Sequence, residues 1–201
     1  VYVGSFHKGI IEFENFTLKN IYSHNNSTLG KLTGYDYVYI TGLDFDNMNN
    51  LWVANSGTEN MLSVKTTDNK WFSFNIGSDD IGRIMVDDNN YKWILTRSGD
   101  IIVYNDNNTI SESYDDKFKI LSKTAGQGGL PDAANCMAVD KNGTVWIGTN
   151  DGLAQFYSSS KIFQKGVNYD ASRILVPRND GSGQADYLLS GESVLSICVD
   201  E

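Results

Sequence analysis

Proline occurs only 2 times in this 201-residue chain, and cysteine and histidine are as scarce, at 2 each. With so little proline, almost every backbone N–H is available to a hydrogen-bonded ladder. The two cysteines, Cys136 and Cys198, have the spacing of neither a metal site nor a redox pair. Each sits in an apolar run, where a free thiol behaves as a small core residue, so both are expected to be buried; a disulfide between them is the alternative the sequence leaves open. Positive charge is short as well: 16 Lys and Arg face 25 Asp and Glu, a formal net charge of −9. That balance, with the basic residues scattered, argues against nucleic acid as a partner. No window approaches the roughly 18 apolar residues of a membrane span. The chain opens on Val1-Tyr2-Val3-Gly4-Ser5 without an initial Met, which reads as a trimmed start already inside a strand.

Enzyme signatures are missing too. His7 and His24 stand far from any recognisable catalytic partner, and there is no Gly-x-Ser-x-Gly element, zincin pattern or phosphate-binding loop. The Gly-rich Gly126-Gln127-Gly128-Gly129 has no strand-to-helix context and reads as a turn. Asp44-x-Asp46-Asn47 resembles the start of a Ca²⁺ loop, but Met48 stands at a ligand position and the bidentate Glu is absent. The pairs Asp79-Asp80 and Asp115-Asp116 are typical of solvated turns. The expectation is therefore no catalytic residue, no metal, no cofactor and no enzyme, with the ligand-binding residues unassigned.

What the chain does have is a repeat. Asp46, Asp87 and Asp140 each end a hydrophobic run, and each is followed six positions later by a tryptophan: Trp52, Trp93 and Trp146. The Trp-to-Trp separations of 41 and 53 lie near a propeller-blade period. A further copy begins at Ser196-Ile197-Cys198-Val199-Asp200, and Val1-Tyr2-Val3-Gly4 matches Val145-Trp146-Ile147-Gly148 with Tyr2 in the Trp position. The Asp carboxylate suits a turn that needs its N–H groups bonded, and the Asn and Gly that follow suit left-handed conformations. Apolar runs such as Leu51-Trp52-Val53 lack strict alternation, as strands buried on both faces do.

The expected fold is all-β: a β-propeller fragment of about four four-stranded blades, part of a seven-bladed propeller. The expected divisions are a partial blade at 1–37, blades at 38–80, 81–130 and 131–192, and the first strand of a next blade at 193–201. Unfinished edges predict self-association or strand exchange. Insertions at 106–135 and 157–193 break the period and become rim loops, where binding tends to lie. Candidate binding side chains there are Tyr169, Arg173, Arg178 and Tyr187; elsewhere Tyr35, Tyr37 and Tyr39 alternate, as if along one face of an extended strand.

The segment Val139-Asp-Lys-Asn-Gly-Thr-Val-Trp-Ile-Gly-Thr-Asn-Asp-Gly-Leu-Ala154 resembles the two-component-regulator propeller repeat. A narrower resemblance covers nearly the whole chain. The order of Gly9-Ile-Ile-Glu-Phe13, Asn50-Leu-Trp-Val-Ala-Asn55, Lys92-Trp-Ile94, Gly126-Gln-Gly-Gly-Leu-Pro131, Trp146–Phe156 and Tyr187-Leu-Leu-Ser-Gly-Glu192 is similar to the PorZ-type propeller family of the type IX secretion system. That resemblance implies a protein at the cell surface, associated with the outer membrane. It would work by contacts with other secretion-system proteins and with anionic lipopolysaccharide or glycan. The alternative implied by the shared repeat is a periplasmic glycan-sensing propeller of a hybrid two-component sensor kinase.

Overall fold

The computed structural model describes residues 1–78 and 80–200. Sixteen short strands and two 3₁₀ turns make up its regular structure among those residues. The chain divides into two compact units, Val1–Arg97 with Tyr104–Phe118, and Ser98–Val103 with Lys119–Glu201.

Strands β1 (Tyr2–Gly4), β2 (Ile10–Glu14) and β3 (Thr17–Tyr22) form an antiparallel sheet in that order. Strands β4 (Ile40–Phe45), β5 (Leu51–Asn55), β6 (Leu62–Lys65) and β7 (Trp71–Phe74) form a four-stranded meander. A second four-stranded meander comprises β8 (Ile81–Val86), β9 (Lys92–Thr96), β10 (Ile101–Asn105) and β11 (Lys117–Leu121). Then come β12 (Ala134–Val139), β13 (Val145–Thr149) and β14 (Gly152–Phe156) as a three-stranded sheet, and β15 (Leu175–Pro177) with β16 (Ala185–Tyr187) as a separate hairpin. Consecutive hairpins of this kind are the construction of propeller blades, and the all-β expectation holds.

The Asp-to-Trp spacing has a structural cause. In each copy the Asp N–H bonds to the carbonyl four residues on (Asn50, Tyr91, Thr144), and the third residue after Asp returns its N–H to the Asp carbonyl. That third residue is Asn49, Asn90 or Gly143, with φ of 62°, 64° and 76°, so the turn needs a residue that tolerates the left-handed region. One carboxylate oxygen collects the N–H groups of the second and fourth residues: Met48 and Asn50 on Asp46, Asn89 and Tyr91 on Asp87, Asn142 and Thr144 on Asp140. The other oxygen accepts the indole N–H of the tryptophan, at 2.9, 2.9 and 2.8 Å. Asp and Trp are thus one hydrogen-bonded unit that closes the turn and fixes the ring on the adjoining strand.

Strand β5 is buried on both faces, as its sequence implied. Leu51 and Val53 join Ile10, Leu29, Val38 and Ile40 in one core cluster, with Tyr2, Tyr22, Leu43 and Trp71 packed around it. On the opposite face Trp52 stacks on Phe74 at 5.6 Å and meets Tyr104 at 5.9 Å. The Lys92 ammonium lies 4.2 Å from the Trp52 ring and 2.6 Å from Asp106, both side chains being fully out of solvent. Such a buried cation needs the carboxylate and the ring, since desolvation pulls the Lys92 pKa down.

Tyr2 occupies the Trp position of the first sheet. Its hydroxyl donates to Glu12, as do Tyr22 (2.6 Å) and Asn20 (2.9 Å). Burial alone would raise the Glu12 pKa; the bonds from Asn20, Tyr22 and Tyr2, with Lys19 nearby, outweigh it and hold the carboxyl at about 2.

The structure departs from the sequence expectation at three places. The sheet of β12–β14 has three strands, because the chain leaves β14 into a 3₁₀ turn (Ser159–Phe163) and next pairs with the sheet at the Gln155–Ser172 bridge. Residues 193–200 form no strand, although they dock in the expected register. The Val194 N–H bonds to Thr149 and the Gly152 N–H to Glu192, as the Ile40 N–H bonds to Ser5 and the Gly9 N–H to Val38. Cys136 and Cys198 are free thiols; Cys136 is buried as expected, whereas Cys198 is exposed.

A candidate binding surface

The turn between β1 and β2 (residues 5–9) and the connection between β3 and β4 (residues 23–39) meet at one end of the first sheet. Val38 donates to the His7 carbonyl, and the Gly9 N–H returns to Val38. The Leu32 N–H bonds to Tyr37 and the Tyr35 N–H to Leu32, so residues 32–37 form a tight loop beside that turn.

Five rings gather there. Phe6 lies 4.4 Å from Tyr39 and 4.8 Å from His7, and His7 meets Tyr37 edge-on at 4.3 Å. Tyr35 and Tyr37 stack at 5.7 Å with only 11° between their planes. The rings remain open to solvent: Phe6 is 50% exposed, Tyr35 61% and Tyr37 36%. Exposed apolar residues scattered singly need no explanation, but contiguous rings mark a recognition surface.

Charged groups rim the rings. Arg97 donates to the Tyr39 hydroxyl at 2.9 Å and is held by Asp80 at 2.8 Å. Lys31 pairs with Asp36 at 2.5 Å and holds that carboxyl below the usual range, with weaker help from His24 and Lys8. Lys8, Lys31 and Arg97 stand at the rim against Asp36 and Asp80, with Lys31 and Arg97 each ion-paired to one of those carboxylates. Such a surface can stack a planar or ring-shaped apolar face and offer hydrogen bonds or cations around it.

Sequence reasoning had Tyr35, Tyr37 and Tyr39 alternating on a strand. They do not form one: the chain bends at Tyr35–Asp36, and within the run only Val38 makes a β-bridge, to Lys8. The loop still brings Tyr35 and Tyr37 together, and Tyr39 joins them through Phe6. Phe6 was missed, and His7 was weighed only as a catalyst. The repeat could have located both, since Ser5 aligns with Thr149 and so places Phe6 and His7 in the β1–β2 turn.

The remaining candidates are engaged within their own units. Tyr169 lies under the Lys119 ammonium at 3.8 Å. Arg173 bonds to Asp151 (3.1 Å) and covers the Tyr187 ring at 4.2 Å, and Arg178 forks onto Asp186 at 2.7 and 2.6 Å. Asp44 accepts the N–H groups of Phe45 and Val86, and burial raises its pKa. Asp115 takes bonds from Asn107 and Thr109, and Asp116 from the Tyr104 hydroxyl. Asp80 pairs with Arg97, while Asp79 lies outside the described residues. Among the described residues no group of three or more His, Cys, Asp or Glu is placed to hold a metal ion.

Fold and repeat together describe a segment of β-propeller. Residues 128–151 match the family described as "Two component regulator propeller". PorZ, described as an essential surface component of the type IX secretion system of Porphyromonas gingivalis, has a similar fold. It matches at a TM-score of 0.83 and 23% identity over 100% of this chain and 28% of that one. Extracellular domains of two putative hybrid two-component systems of B. thetaiotaomicron are also similar. One has a TM-score of 0.56 and 20% identity, covering 79% of this chain and 20% of that one. The other has 0.57 and 14%, covering 99% and 23%. No curated protein sequence matches. The chain thus spans well under a third of each of these solved chains, and the shared property is the fold.

Proposed function

We propose that this chain is a non-catalytic β-propeller segment of a cell-surface protein in the type IX secretion and cargo-attachment machinery. Its binding surface is the ring cluster of Phe6, His7, Tyr35, Tyr37 and Tyr39. The observation that carries the reading is that cluster: exposed aromatic faces with Lys8, Lys31 and Arg97 beside them, on a chain of net charge −9. Lys8, Lys31 and Arg97 are the cations that would meet anionic lipopolysaccharide, and the ring faces suit both sugar rings and apolar protein side chains. The fold likeness to PorZ supports the setting.

The test is made in cells. Full-length protein carrying Phe6→Ala and Tyr35→Ala should reach the surface, as intact-cell labelling reports, yet leave secreted cargo unattached. Normal cargo attachment by the double variant would refute the role of the cluster. The second reading, a ligand-sensing propeller of a two-component sensor, draws on the repeat match at 128–151. A membrane helix and kinase domain encoded downstream would favour it over the first.

A further inference from the structure

The Gly126–Gly129 loop, read from sequence as a plain turn, is built around a carboxylate. In the loop the N–H groups of Gln127 and Gly129 turn inward onto the Thr124 carbonyl, at 3.0 and 3.2 Å. Those between them point the other way and converge on Asp170: the Gly126 N–H lies 2.9 and 2.8 Å from its two oxygens, and the Gly128 N–H 3.1 Å from one of them. Alternation of this kind requires left-handed backbone, and Gly126 and Gly128 have φ of 79° and 102°. A concave set of backbone N–H groups is an anion receptor, and its bonds to a charged acceptor are the strong kind.

Asp170 also anchors a strap. The Ala171 N–H bonds to the Gly128 carbonyl, and Ser172 exchanges both backbone bonds with Gln155 of β14 at 2.9 Å. Tyr169 is pinned under Lys119. Beside the strap lies a cavity of about 180 Å³ lined with polar groups that include Gln155, Ser158, Lys161 and Asn168. Its walls are closed on one side by Asn168, Tyr169 and Asp170 themselves.

We propose that the Gly126–Gly129 loop is a carboxylate receptor in its own right, with Asp170 as its resident ligand. Exchange of Asp170 for a carboxylate supplied from outside releases the 168–172 strap and opens the polar cavity beside it. The exchange is a simple substitution of one carboxylate by another on the same N–H groups. Solvent reaches the site, since Gly126 is exposed and Asp170 half-buried.

The experiment uses Asp170→Ala, with sodium acetate as the probe and sodium chloride at matched ionic strength as the control. Amide hydrogen exchange at residues 168–172 should rise by at least about tenfold in the variant, as expected for a locally released segment. Acetate should restore protection at Gly126 and Gly128 saturably, and chloride should not. Unchanged exchange in the variant, or equal response to acetate and chloride, overturns the proposal. If Asp170→Ala does not fold in chloride, refolding yield is the readout. Recovery in acetate alone supports the receptor, and equal failure in both salts refutes it.

Discussion

At the residue scale the Asp–Trp pair is the unit that repeats. Trp52 and Trp93 have no solvent exposure, whereas Trp146 is half-buried. Replacing a fully buried aromatic by Ala costs about 3–5 kcal/mol. Trp52→Ala and Trp93→Ala should therefore destabilise by that amount in urea titration, and Trp146→Ala by visibly less. The sequence made the spacing legible but not the bond. The Trp lies six positions after the Asp across a turn, and only the turn's geometry puts the indole N–H on the second carboxylate oxygen. Glu12 gives a second prediction at this scale. Its folded pKa of about 2 lies below its ordinary 4.5, so its stabilising contribution is complete above 4.5 and disappears as pH falls toward 2. Melting temperature against pH should fall across that window, and Glu12→Gln should flatten the fall.

At the element scale the turns carry more of the specification than the strands. Gly143 holds φ of 76° where the other copies use Asn. Gly143→Ala places a β-carbon in the left-handed region, at about 1–2 kcal/mol. Gly143→Asn should cost less, because Asn49 and Asn90 already serve at that position; thermal melts of the two variants check the order. The turn chemistry also explains which elements were legible. Strands next to an Asp–Trp turn follow from the repeat, while the insertions 106–135 and 157–193 follow no period. Nothing in residues 157–163 distinguishes the observed 3₁₀ turn from a fourth strand, because the contacts that favour it come from Gln155 and Ser172, far apart in sequence. The tyrosine run failed for the opposite reason. Its alternation was real, but the bend at Tyr35–Asp36 overrode it, and the rings met through a loop.

At the scale of the molecule, the first sheet presents an apolar face on the side away from Tyr2. Val3, Ile11 and Ile21 form one cross-strand row, with Val3 44% and Ile21 45% exposed, and Leu18 beside them is 52% exposed. The equivalent face of the second sheet, around Leu51 and Val53, is fully covered. The 201-residue chain by itself should therefore associate at high concentration. Sedimentation velocity should show it, and Val3→Lys with Leu18→Lys should suppress it; a monomer at all concentrations would count against the prediction.

The function placed on the molecule rests on the ring cluster, so direct binding is the closest test. Isothermal titration of the chain with purified anionic lipopolysaccharide should give saturable heat that weakens with salt, as contact through Lys8, Lys31 and Arg97 requires. Phe6→Ala with Tyr35→Ala should lower the affinity at least about tenfold, the loss of roughly 1.4 kcal/mol expected for removing stacked ring faces. Equal binding by the chain and the double variant, or no binding by either, would contradict the account.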